Sequence, residues 1–185
     1  KANQNQDIYV DEVAIGDVIW NGGQALENLP AIPDVLHPEA SGILVQENEK
    51  ASIDYSHTED GYVLVRYVEN TDKRLKVQVK GPTTTYTYNI TSGDYETFPL
   101  SDGNGEYQIA VYENVVDKKY ALSQSIDLNV ELKDEFTPFL RPNQYVDYGD
   151  ATKTLQVAAL LTENRETELD KVQAIYEYVV RNIRY

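Results

Sequence analysis

A chain of 185 residues, 41% hydrophobic and 25% charged, has the size and balance of an ordinary soluble protein with one good core, or one domain and part of a second. Its net charge of -15 argues against nucleic acid, whose phosphates demand clustered Lys and Arg, and against acidic partners and anionic membranes; no apolar run approaches the ~20 residues of a membrane helix. With no cysteine, the chain holds no disulfide, thiolate metal site or cysteine nucleophile, and cysteine usage leaves the redox compartment undetermined.

The opening residues, Lys1 to Gln6, are polar, Lys1 is not a start residue and Met is absent throughout, which points to a processed or trimmed product. Up to residue 28, the apolar Ile8, Val10, Val13, Ile15, Val18, Ile19 and Trp20 fit strand alternation only in part and are expected to form one or two docked strands. Pro30, Pro33 and Pro38 remove donors and break periodicity, so Leu29 to Gly42 reads as an extended connector with a boundary near residue 42.

From Ile43 to Lys133 the period is two. Ile53 and Tyr55, then Val63, Val65 and Tyr67, then Leu75, Val77 and Val79 each put one apolar face against intervening polar or outward residues. Gly81-Pro82 turns the chain into Tyr86, Tyr88 and Ile90, with Thr83, Thr85 and Thr87 facing the other way. A short strand near Tyr95 to Phe98 precedes Ser101 to Gly105, and Tyr107, Ile109 and Val111 follow. After the turn at Asp117-Lys118-Lys119, Tyr120, Leu122, Gln124, Ile126, Leu128, Val130 and Leu132 alternate over an unusually long stretch. Seven or eight short strands at this spacing predict a mainly β fold, an immunoglobulin-like antiparallel β-sandwich over 43–133.

A connector, 134–151, carries Phe136, Phe139, Leu140, Tyr145 and Tyr148, expected to be pinned against the sandwich. The period then becomes helical over 152–185. Thr152 caps a helix bearing Leu155, Val157, Ala158, Leu160 and Leu161, and Thr167 with Asp170 makes a capping box for a second, whose Leu169, Val172, Ile175, Tyr176, Val179 and Ile183 share one face. Such a stripe stabilises a helix only by docking, here expected first on the preceding helix, then on the sandwich or on a second copy of the chain.

Candidate chemistry is sparse. Asp102, Asn104, Glu106 and Glu113 occupy the first, third, fifth and twelfth positions of a calcium-loop spacing, but the sixth must be Gly and is Tyr107, so a hairpin turn is the favoured reading. His37 and His57 have no ligand or triad spacing around them, and Ser56-His57 with Glu59-Asp60, read as strand neighbours, would point to opposite faces. Fifteen tyrosines invite a carbohydrate site using Trp20 or exposed tyrosines, yet most fall in the inward phase of strands. Asn89-Ile90-Thr91 is a glycosylation sequon that matters only in a glycosylating host.

Gly61-Tyr62-Val63 with Arg66-Tyr67, Lys76-Val77-Gln78-Val79, Phe98-Pro99-Leu100-Ser101 running into Gly103-Asn104-Gly105-Glu106-Tyr107, and Phe139-Leu140-Arg141-Pro142-Asn143-Gln144-Tyr145-Val146 together carry a resemblance. With Lys171-Val172, Ile175-Tyr176, Tyr178-Val179-Val180 and Asn182-Ile183-Arg184-Tyr185, the stretch 50–185 resembles secreted bacterial transglutaminase-like proteins of the papain-type cysteine protease superfamily. The resemblance implies a non-catalytic N-terminal sandwich and the lead-in helices of a thiol enzyme acting on amide bonds. It further implies an exported, cell-surface protein, a downstream catalytic domain as partner, and a cell-wall or protein substrate. The Cys, His and Asp of that family fall outside this chain, so no catalytic, metal or cofactor residue is assigned to it. The alternative is a stand-alone extracellular binding or adhesion sandwich.

Overall fold

Alternating apolar residues fold into eight strands in a computed structural model that describes residues 31, 32, 34–149 and 153–182. They are β1 (Val45–Glu47), β2 (Ala51–Asp54), β3 (Tyr62–Tyr67), β4 (Leu75–Lys80), β5 (Thr85–Ile90), β6 (Glu96–Pro99), β7 (Gly105–Val116) and β8 (Lys119–Val130). Residues 1–30, including Trp20 and the expected early strands, lie outside the described residues, as do the Thr152 cap and Ile183.

Every named strand pair is antiparallel, in two four-stranded sheets of order β1-β2-β3-β6 and β5-β4-β7-β8. Both sheets contribute to one core: Ile53, Val63, Val65, Tyr67 and Phe98 from the first, Leu75, Val77, Val79, Ile109 and Val111 from the second. At roughly 1.5–3 kcal/mol for each large apolar side chain removed from water, this shared layer is the main source of stability. The chain divides into two compact units: Val35–Asp147, and Lys1–Asp34 with Tyr148–Tyr185.

The phase of β8 departs from simple alternation. Its register against β7 shifts between Val111 and Tyr112, so Gln124 pairs with Val111 but Leu122 pairs with Tyr112. One extra residue in a strand moves everything beyond it to the other face. Ile126, Leu128 and Val130 therefore pack on the core, whereas Leu122 is 57% exposed. The inward assignment of Tyr120 and Leu122 is thereby corrected.

The stretch 134–147 joins the sandwich unit only in part by the expected contacts. The Tyr145 ring lies 5.6 Å from that of Tyr88 in β5, as expected, but Phe136, Phe139 and Leu140 are exposed, and the buried residue of the 3-10 turn Thr137–Phe139 is Pro138. A Cβ on Gly61, which has φ +80°, would stand 2.6 Å from the Pro138 ring, so only glycine admits this approach.

In the second unit, α1 (Lys153–Thr162) and α2 (Glu168–Asn182) pack as a pair. The Thr167 cap forms as expected, Asp170 N–H donating to Thr167 Oγ1 at 3.1 Å, while the Asp170 carboxylate accepts the Thr167 hydroxyl at 2.7 Å in place of the reciprocal backbone bond of a full capping box. The half-buried side of α2 is Lys171, Ala174 and Tyr178, whereas Leu169, Val172, Ile175, Tyr176, Val179 and Val180 are exposed. The expectation that the preceding helix covers the apolar face holds at most in part: Ile175 and Val179 are 39% and 38% exposed, whereas Leu169, Val172, Tyr176 and Val180 are exposed at 60% or more.

Candidate functional site

Ionisable side chains converge at two places in the sandwich unit. The first is a corner below β3. Residues 55–61 form a turn and the 3-10 helix Thr58–Asp60 instead of a strand, so His57 and Asp60, three apart, share one side. His57 Nδ1 lies 3.3 Å from the Asp60 carboxylate, and its ring stacks on Tyr62 with centroids 5.2 Å apart. Arg141 places its guanidinium 4.9 Å from the Tyr62 ring centroid and donates to the Asp60 carbonyl at 3.1 Å, while the Lys133 ammonium is 3.4 Å from the Asp60 carboxylate. Burial, the largest single influence, pushes the Asp60 carboxyl upward; the His57 hydrogen bond and the Lys133 and Arg141 charges together outweigh it and hold the group below its ordinary range.

This corner fastens both flanking segments to the sheet. Tyr62 Oη accepts from Glu39 N–H on the N-terminal side, and Arg141 reaches Asp60 and Tyr62 from the C-terminal side. It holds a His–carboxylate pair without a nucleophile beside it. Ser56, the adjacent hydroxyl, accepts from the Ile43 and Leu44 N–H groups at 3.2 and 2.8 Å and so serves the β1 entry.

The second convergence joins the two sheets. Glu113 of β7 is buried, accepts the Tyr67 hydroxyl at 2.9 Å and the Lys50 ammonium at 2.5 Å, and also pairs with Lys73. The Lys50 hydrogen bond first, then those of Lys73 and Tyr67, hold its carboxyl at about 2. A buried carboxylate is tolerated when it is paired and hydrogen-bonded, and here both oxygens have donors, Lys50 and Tyr67 on one and Lys73 on the other.

The calcium-spaced residues go to separate tasks. Asp102 closes the β4–β5 turn, accepting from the Thr83 and Thr84 N–H groups at 2.6 and 2.8 Å and from the Thr83 hydroxyl at 2.7 Å; these bonds, the Thr83 side chain's foremost, lower its pKa. Asn104 accepts from Leu132 N–H, and Glu113 sits in the lysine cluster. Among the described residues no group of three or more His, Asp or Glu side chains is placed to hold a metal ion.

The tyrosines divide between core and outer face. Tyr67, Tyr88 and Tyr107 are buried, and burial raises the Tyr107 hydroxyl to about 12. That hydroxyl accepts from Asp102 N–H at 2.9 Å and faces the Leu100 and Gly103 carbonyls at 3.1 and 2.9 Å. Tyr112 and Tyr120 lie on the outer face of the second sheet, where the Lys76 ammonium stands 5.2 Å from the Tyr120 ring centroid. His37 lies in the segment leading to β1.

Sequence reasoning did not join either cluster. The one local signal was His57-x-x-Asp60 followed by Gly61; Lys133, Arg141, Lys50 and Lys73 are brought in from distant positions by topology. No family model, curated protein or solved structure matches the chain.

Proposed function

We propose that this chain is the non-catalytic N-terminal region of an exported transglutaminase-like cysteine enzyme acting on amide bonds. Its sandwich serves as accessory or binding module, and α1 and α2 begin the catalytic core. The observation that carries the reading is α2: a well-capped helix of 15 residues that keeps a row of large apolar side chains exposed, as a helix does when another layer is to be laid on it. The absence of cysteine places any thiol chemistry outside these residues.

The sandwich itself is read as immunoglobulin-like. Support comes from reading β2, β3 and β6 as strands A, B and E and β5, β4, β7 and β8 as C′, C, F and G, with β1 as an added strand beside A and no strand D among the described residues. Tyr107, early in β7 with its hydroxyl on the Leu100 carbonyl, supports it as a tyrosine corner.

The experiment is to sequence the transcript past the Tyr185 codon and assay the encoded protein beside the 185-residue chain. A Cys, then a His, then an Asp downstream, with thiol-blocker-sensitive amide turnover in the longer product alone, is the expected result. A stop codon, or thiol-dependent turnover by the 185-residue chain, refutes the reading. The second reading, a stand-alone extracellular binding or adhesion sandwich, draws on the outer-face pair Tyr112 and Tyr120, whose rings suit sugar stacking. Glycan binding lost in Tyr120→Ala would favour it.

A further inference from the structure

The β7–β8 hairpin outruns its neighbour. β4 begins at Leu75, opposite Glu113, which pairs in turn with Ala121, so residues 114–120 project past the sheet they belong to. At this end Val115, Val116 and Leu122 are 66%, 52% and 57% exposed, a concentration of aliphatic surface that a hairpin tip does not need for its own folding. The register shift described above turns Leu122 and Tyr120 onto the outer face, and a second shift, between Asn114 and Val116, sets Val116 opposite Lys119.

Around this apolar tip the charge reverses. The net charge of -15 belongs to the chain as a whole, yet residues 72–76 and 113–119 hold five cations, Lys73, Arg74, Lys76, Lys118 and Lys119, against three carboxylates, Asp72, Glu113 and Asp117. Glu113 is buried and matched by Lys50 and Lys73. Arg74 is fixed at the tip by donating to the Asp117 carbonyl, and Lys118 and Lys119 are exposed with no ion pair to any described residue.

We propose that this hairpin end is a docking surface for an anionic phospholipid membrane. Aliphatic side chains at a projecting edge, a tyrosine beside them and lysines whose stems can lie along the apolar surface make up an interfacial anchor. A projecting tip of exposed aliphatic and basic side chains fits a soft, shapeless surface better than a protein partner, which requires matching relief. Charges farther than about 8 Å are screened at physiological salt, so the acidic remainder slows approach without deciding the contact.

The test floats the full 185-residue chain with vesicles of phosphatidylcholine, alone or mixed with phosphatidylglycerol, in physiological and high salt. Flotation with the anionic vesicles only, at physiological salt where the acidic remainder is screened, and weaker in high salt, is expected. Lys118→Glu with Lys119→Glu should weaken it by about fivefold or more for each lysine lost. Val116→Asp with Leu122→Asp should abolish it, and because these side chains are more than half exposed, an unchanged melting curve shows that folding is intact. The exposed row of α2 is the rival anchor. If Val172→Asp with Val179→Asp abolishes flotation while the tip variants still float, the proposal fails. It fails equally if the wild type does not float in physiological salt, and a protein then becomes the occupant of the tip.

Discussion

Glu113→Gln tests the electrostatic cross-link between the sheets. The glutamine keeps an oxygen for the Tyr67 hydroxyl but gives up both charge-assisted bonds to Lys50 and Lys73. A carboxyl held at about 2 in the folded chain, against 4.5 ordinarily, corresponds to roughly 3 kcal/mol at neutral pH, at about 1.4 kcal/mol per pKa unit. Both lysines are about half exposed, so screening lowers the expected loss to about 2 kcal/mol. Because the folded-state pKa is depressed, this contribution is complete above pH 4.5 and is lost as pH falls toward 2. Urea unfolding followed by β-type circular dichroism at pH 7, 4 and 2.5 should therefore show the variant weaker at pH 7 and the two curves converging in acid. A pH-independent deficit would mean that shape and packing, not charge, make Glu113 matter. An unchanged midpoint at pH 7 would refute the cross-link altogether.

Gly61→Ala puts a Cβ into the Pro138 ring at a φ of +80°, so a loss of about 1–3 kcal/mol is expected, with faster proteolysis across 134–147; an unchanged digestion pattern would show that this segment is not held there. Tyr107→Phe removes the hydroxyl shared by Asp102 N–H and two carbonyls and should cost about 1–3 kcal/mol by thermal melt with the fold retained. A chain restricted to Val35–Asp147 should melt cooperatively, and ending it at Lys133 should lower the midpoint, since Pro138 and Arg141 go with the tail. Light scattering of the 185-residue chain should report a concentration-dependent dimer that Val172→Asp with Val179→Asp dissolves; a strict monomer at every concentration counts against α2 as an association face.

Most of the strand plan was legible because period-two alternation is imposed by the sheet itself: β4, most of β7 and the end of β5 show it in burial, whereas β3 alternates around its core-facing Val63, Val65 and Tyr67 but is buried on both faces from Tyr62 to Val65. Alternation fails as a guide where the backbone inserts a residue, since a bulge leaves no mark in hydrophobic order. Gln124, a polar residue in the inward phase next to Ser123, was the only hint in β8. The corner at Asp60 was hidden for a different reason. Residues 55–61 carry no periodicity, so whether His57 and Asp60 share a side depends on a single turn of 3-10 helix. Arg141 and Lys133 arrive there from some 80 and 73 positions away. Proximity of that kind is a property of topology, and no local pattern encodes it.

The helical unit shows the converse limit. Its apolar row and its cap were both readable, because helix spacing and the Thr167–Asp170 pair are local. What lies against the row was not readable, since a stripe specifies that it must be covered without specifying by what. Six exposed side chains, each worth about 1.5–3 kcal/mol when buried, form a larger unused reserve than any polar cluster in the sandwich offers. The ion pairs at Asp60 and Glu113 have already met their partners and fasten segments together. The surfaces still able to do work on another molecule are therefore the apolar ones, α2 and the β7–β8 tip. They are chemically distinct, because the tip carries Lys118 and Lys119 without ion-pair partners among the described residues, whereas on α2 Lys171 is paired with Glu168 and Arg181 with Glu177. Salt should consequently weaken whatever the tip binds and leave association through α2 unchanged or strengthened, which separates the two faces in one titration.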